Sequence, residues 1–139
     1  MLNLIVHNII IYVIILFSSL LPSNYENLIV DTSAINSQSV EMVFEYENKT
    51  GRVVDRPTVL EISEKTEDGW NSFFENPAVI EEPQYDLPGG NGTIRIPVEY
   101  YYGEPTLSPG EYKVKITYRV HESNDKVSYT TIEVPFIVE

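Results

Sequence analysis

The chain of 139 residues carries 21 acidic and 9 basic side chains, a formal net charge of −12, and no cysteine. That length holds one domain. The missing cysteine excludes disulfides, thiolate metal sites, a cysteine nucleophile and a lipidated N-terminal cysteine. The negative charge argues against nucleic acid or an anionic membrane surface as partner.

Residues 1–24 contain no Asp, Glu, Lys or Arg, and the run from Leu2 to Leu21 is broken only by Asn3, His7, Asn8, Ser18 and Ser19. The run is too long for a buried strand and lacks the polar period of an amphipathic helix. It predicts an N-terminal apolar helix, acting as a secretory signal with its apolar core at residues 9–17 or as an uncleaved anchor, since about 20 apolar residues can span a bilayer. No basic residue precedes Lys49, and no Ala-x-Ala marks a cleavage site. Membrane contact is expected only through residues 2–21, and the remainder is expected outside the cytoplasm.

Residues 25–38 read as a linker with a possible first strand at Leu28–Val30, and residues 39–139 as one all-β domain. Beyond residue 24 there are only two alanines, Ala34 and Ala78, and prolines recur throughout. No helix is predicted there. Strands are predicted from alternation. Val40, Met42, Phe44 and Tyr46 alternate with Glu41, Glu45 and Glu47; Leu60 and Ile62 with Glu61 and Ser63. Ile94, Ile96, Val98 and Tyr100 alternate with Arg95, Pro97 and Glu99, and Tyr112 to Val120 place every even residue on an apolar face. In the last segment Val127 and Tyr129 are odd while Ile132, Val134, Phe136 and Val138 are even, which predicts a bulge or a crossing between sheets near Thr130-Thr131. Turns are predicted at Asn48–Gly51, Glu67-Asp68-Gly69, Ser108-Pro109-Gly110 and Ser123–Asp125, with a flexible loop at Pro88-Gly89-Gly90-Asn91-Gly92. Six or seven short strands, each with one apolar face, describe an antiparallel β-sandwich.

Leu107-Ser108-Pro109-Gly110-Glu111-Tyr112 resembles the tyrosine corner of immunoglobulin-like sandwiches, in which a tyrosine at the start of the sixth strand bonds its hydroxyl back to the chain. Leu107, Pro109, Gly110 and Tyr112 are therefore expected to be structural. Trp70, after the Asp68-Gly69 turn, is expected to pack in the core or flank the hairpin. In Tyr100-Tyr101-Tyr102 the alternation points Tyr100 and Tyr102 inward and Tyr101 outward. Tyr101 and the loop residues Gly89, Gly90 and Asn91 are the candidate binding residues.

The segment 55–92 holds nine acids against Arg56 and Lys65, without the regular spacing of a calcium loop, and reads as a solvated acidic face. His121 is the only histidine beyond the leader and no serine has a G-x-S-x-G setting, so no catalytic residue, metal ligand or cofactor is expected. Asn48-Lys49-Thr50 and Asn91-Gly92-Thr93 match the N-glycosylation sequon.

The strand Val40–Asn48, then Leu60–Lys65 leading to Asp68-Gly69-Trp70, then Tyr102-Gly103 before Leu107-Ser108-Pro109-Gly110-Glu111-Tyr112, resemble a family of bacterial immunoglobulin-like domains. The resemblance covers about residues 38–139. It implies an immunoglobulin-like sandwich of about seven strands, exported or attached to the envelope, with no defined molecular role. The same outline is similar, less closely, to the small bacterial intracellular proteinase inhibitors. The expectation is a non-catalytic module that binds a protein or a surface polymer; a proteinase inhibitor and a purely structural surface protein are the alternatives.

Overall fold

The structure is a computed structural model, and it describes residues 27–76, 85–122 and 124–139. The leader 1–24, Glu81, Glu82 and Ser123 lie outside the described residues. Among the described residues there are nine strands: β1 (Leu28–Asp31), β2 (Glu41–Asn48), β3 (Val54–Asp55), β4 (Thr58–Thr66), β5 (Gly69–Glu75), β6 (Tyr85–Asp86), β7 (Asn91–Pro97), β8 (Gly110–His121) and β9 (Val127–Val138). One short helix, α1 (Val98–Tyr102), follows β7. Every strand pairing is antiparallel.

The strands make two sheets. The smaller has the order β1-β2-β7. In the larger, β8 lies between β9 and the consecutive strands β3 and β4, with β5 outside β4 and β6 outside β3. In the small sheet Met42 opposes Ile96 and Phe44 opposes Ile94. These side chains meet Val59, Ile62, Phe74, Tyr112, Val114, Ile116, Phe136 and Val138 of the large sheet in one buried cluster. The Phe44 and Phe136 rings touch edge to face across the two sheets, at 6.0 Å between centroids. Leu28, Tyr46, Val54, Tyr118 and Val120 form a second cluster, and Val30, Ile94 and Ile132 pack against both.

Several expectations are corrected by the structure. The possible first strand at Leu28–Val30 does form, as β1 paired with β2, but Ile35, expected in the linker, enters the core. The Ile94–Tyr100 alternation does not continue as strand. The ladder stops at Pro97, which has no N–H to donate, and the chain turns into α1, closed by Gly103 at φ +85. Tyr100 is consequently 80% exposed rather than inward. No bulge interrupts β9, whose pairing with β8 runs without a shift from Gly110–Val138 to His121–Val127. Val127 and Tyr129 simply face solvent.

The irregularities lie in β4 and β5 instead. The register shifts at Leu60, so the buried apolar residues of β4 are Val59 and Ile62, not Leu60 and Ile62. A second shift leaves Phe73 as the extra residue of β5, between Phe74 opposite Ile62 and Ser72 opposite Ser63. Bulges of this kind re-aim side chains.

Candidate functional site

Three side-chain constellations stand out, one at each place where the sequence offered candidates. The first lies where β2 ends. Asn48 is 1% exposed and sits between two loops. Its Nδ2 donates to the carbonyls of Arg52 (2.7 Å), Asp86 (3.2 Å) and Leu87 (3.1 Å). Its Oδ1 accepts from the Thr50 N–H (3.1 Å) and the Thr50 hydroxyl (2.6 Å). Its backbone N–H donates to Gly90 O at 2.7 Å, and its carbonyl accepts from the Gly89 N–H at 2.9 Å. The stretch expected as a flexible loop is therefore tied down. Gly90 N–H closes a turn onto Leu87 O at 2.8 Å, with Gly89 at φ +76 in the position that favours glycine. Asn91 and Gly92 belong to β7, and Asn91 lines a groove of about 420 Å³ with Ile29, Asp31, Glu45 and Glu47. A Cβ at Gly92 would run into the Tyr46 ring, whose hydroxyl donates to Asp86 Oδ2 at 2.8 Å. Burial, reinforced by the Asp86 carboxylate, pushes the Tyr46 phenol up to about 12.

The second constellation is aromatic. Because of the bulge in β5, the consecutive residues Phe73 and Phe74 both reach α1. Phe73 meets Tyr102 at 5.0 Å and Phe74 meets Tyr101 at 4.6 Å, both edge to face. Tyr102 donates to Glu64 Oε1 at 2.9 Å, and the Tyr112 hydroxyl lies 3.2 Å from the same oxygen. Tyr112 also donates to the Ser108 carbonyl, four residues upstream, at 2.6 Å. Burial and the Tyr102 hydroxyl raise the Tyr112 phenol well above the usual tyrosine range. Leu107 is buried, while Pro109 is exposed and Gly110 begins β8. Tyr101 is 39% exposed and packs between Phe74 and Tyr100. Tyr100 thus stands in solvent on a helix whose two following residues are both anchored.

The third lies on the outer face of the large sheet. Trp70 is 46% exposed and flanks the β4–β5 hairpin rather than entering the core. The Lys113 ammonium sits 4.6 Å from its ring centre and 3.6 Å from Glu133. Lys115 pairs with Glu61 at 3.3 Å and Lys65 with Glu111 at 2.8 Å. The Glu61 carboxyl is held below the usual carboxylate range by the Ser63 hydroxyl and by Lys115. At the far end Asp55, 1% exposed, accepts from the Arg119 guanidinium and lies 2.7 Å from His121 Nε2. The solvated acidic face expected for 55–92 holds in part: Glu67, Asp68 and Glu75 are exposed, whereas Asp55, Glu61, Glu64 and Asp86 accept bonds that hold the fold.

Asn48, Tyr100 and the Asp55–Arg119–His121 group escaped the sequence reading. Asn48 had a local signal, an Asn closing a strand with Thr two residues on. Tyr100 had one in Pro97 and Gly103 bracketing five residues. Asp55 had none, because its partners lie 64 and 66 residues away. Among the described residues no three His, Asp or Glu side chains are arranged to hold a metal ion, and no helix is long and apolar enough to cross a membrane. No protein-family model matches the chain, nor does any curated protein or solved structure.

Proposed function

We propose that the chain is a non-catalytic immunoglobulin-like β-sandwich module, exported or attached to the cell envelope, that binds a protein or surface polymer through its aromatic end. Two features support the fold reading. Among the seven longer strands, the first, second and fifth share one sheet and the third, fourth, sixth and seventh the other, an order compatible with such a sandwich. The Tyr112–Ser108 bond has the form of a tyrosine corner. The export reading rests on the uncharged leader 1–24.

The observation that carries the binding reading is Tyr100, 80% exposed on a five-residue helix fixed by Tyr101 on Phe74 and Tyr102 on Glu64. A large amphipathic ring already held in place loses little entropy on contact, which is why tyrosine is favoured at interfaces. Labelled protein added to intact cells and to isolated envelopes of the producing organism is expected to bind saturably, and Tyr100→Ser to bind at least about tenfold more weakly. Equal binding by the variant, or turnover of a peptide, ester or glycoside substrate by the native chain, would overturn the reading. N-terminal mapping of native protein in secreted, membrane and cytosolic fractions tests the location separately.

A further inference from the structure

Among the described residues, strand β9 is paired along one side only, with β8. Among the described residues, the sole backbone bond on its other side is at the very end, where Ser37 N–H donates to Glu139 O at 3.1 Å. An open edge of 12 residues is ordinarily guarded by charge, yet VSYTTIEVPFIV carries only Glu133. Its solvent-facing row is mostly apolar instead, with Val127 43%, Tyr129 70% and Ile137 66% exposed and Pro135 also in solvent, beside Thr131 and Glu133.

We propose that this edge pairs with β9 of a second copy of the chain, antiparallel, joining the two large sheets into one. Charge selects the occupant. With a net charge of −12, a cationic partner is drawn to the outer face of the small sheet, where Asp31 and Glu45 project beside Glu41 and Glu47, which pair with Arg95 and Lys49. A like-charged partner is tolerated only along a stretch nearly free of charge, and β9 is that stretch. The row also complements itself. In an antiparallel pair, opposed residues share a face, so the two strands must meet odd against odd. A two-fold axis at Ile132 sets Val127 against Ile137, Tyr129 against Pro135 and Thr131 against Glu133, each twice. Every apolar side chain of the row then faces another, and no two Glu133 carboxylates are opposed. On the other face Ile132, only partly buried in the single chain, is covered by its own copy. Pro135 withholds one donor per strand and contributes its ring to Tyr129.

The chain has no native cysteine, which makes the register directly readable. Val127→Cys and Ile137→Cys are both at exposed positions. On mild oxidation a mixture of the two full-length variants is expected to give a disulfide-linked pair, and neither variant alone to do so, since identical positions lie about 30 Å apart in this register. In sedimentation equilibrium at about 200 µM the native chain is expected to show the mass of two copies. Thr131→Glu, which sets two carboxylates against two others, is expected to weaken association at least about tenfold. Thr93→Glu, the same charge change on the outer face of the small sheet, is expected to leave it unchanged. Cross-linking of Val127→Cys with itself, association indifferent to Thr131→Glu, or a single-copy mass for the native chain would overturn the proposal. So would capture of β9 by a strand of a different protein while the native chain alone stays single.

Discussion

Asn48 bonds four backbone groups and the Thr50 hydroxyl, closing the loop after β2 and the turn before β7 with one amide. Replacing it by Ala takes the donor from the Asp86 and Leu87 carbonyls, one of two donors from the Arg52 carbonyl and the acceptor from the Thr50 N–H at a part-buried joint, and a buried unpaired polar group costs about 1–3 kcal/mol. Asn48→Ala is expected to lower unfolding stability by about 3 kcal/mol, read as a lower urea midpoint at unchanged m-value. Gly92 faces a different constraint. The nearest atoms to a Cβ there include ring carbons of Tyr46 as well as its hydroxyl. Gly92→Ala is therefore expected to cost about 1–3 kcal/mol, and the second change Tyr46→Phe is not expected to restore it, because the ring still blocks the site. Rescue by that double variant would place the clash at the hydroxyl alone.

The phenols bring a pH dependence. Tyr46, Tyr112 and Tyr118 are all raised, each chiefly by burial. A group whose pKa is higher folded than unfolded contributes stability that is complete below the unfolded value and lost as pH rises through the folded one. For Tyr46 that window runs from the ordinary tyrosine value of 10.0 to about 12. In an ultraviolet titration of the ten tyrosines these three are expected to ionise only as the chain unfolds, in step with the loss of far-ultraviolet β signal. Smooth ionisation of all ten ahead of unfolding would count against their burial.

At the level of the element, α1 is the departure from regular sheet, and Gly103 at φ +85 ends it, with its N–H on Glu99 O at 3.1 Å. Gly103→Ala is expected to cost about 1 kcal/mol in a melt, since a Cβ at that dihedral is strained even though nothing crowds it. The long strands β2 and β8 were legible in the sequence because one of their faces is buried end to end, so parity alone marks them. Other elements escaped for identifiable reasons. Val98 and Tyr100 kept the parity of β7 by coincidence, and five residues are too few to display a helical period. The bulges at Leu60 and Phe73 each add one residue, which shifts parity without leaving a compositional trace. Val127 and Tyr129 read as a phase flip because the sequence pattern does not distinguish an apolar side chain facing solvent from one facing the core. Of the candidate binding residues, Tyr101 packs between Phe74 and Tyr100 and stays 39% exposed, and Gly89 and Gly90 are hydrogen-bonded to Asn48. Exposure depends on which other strand arrives, and that is a long-range fact.

For the whole molecule the dominant quantity is the net charge of −12. The surface ion pairs are part-exposed, and such pairs contribute about 0–1 kcal/mol each, so the self-repulsion of the excess acids outweighs what salt would take from the pairs. Raising sodium chloride from about 20 to 300 mM is expected to raise the melting temperature by a few degrees in differential scanning calorimetry. A fall would mean that the pairs across β4, β8 and β9 carry more of the stability than their exposure suggests.

The amide at Asn48 has one more consequence, for the making of the protein. Asn48-Lys49-Thr50 is an acceptor sequence for oligosaccharide transfer, and the atom that would receive the sugar is the Nδ2 that holds three carbonyls in the finished fold. In a host with glycosylation machinery, transfer and folding compete for the same nitrogen. A chain caught before β7 docks would carry a bulky branch at the joint between two loops and fail to close, whereas Asn91-Gly92-Thr93, with its Asn in solvent, would accept the same sugar without harm.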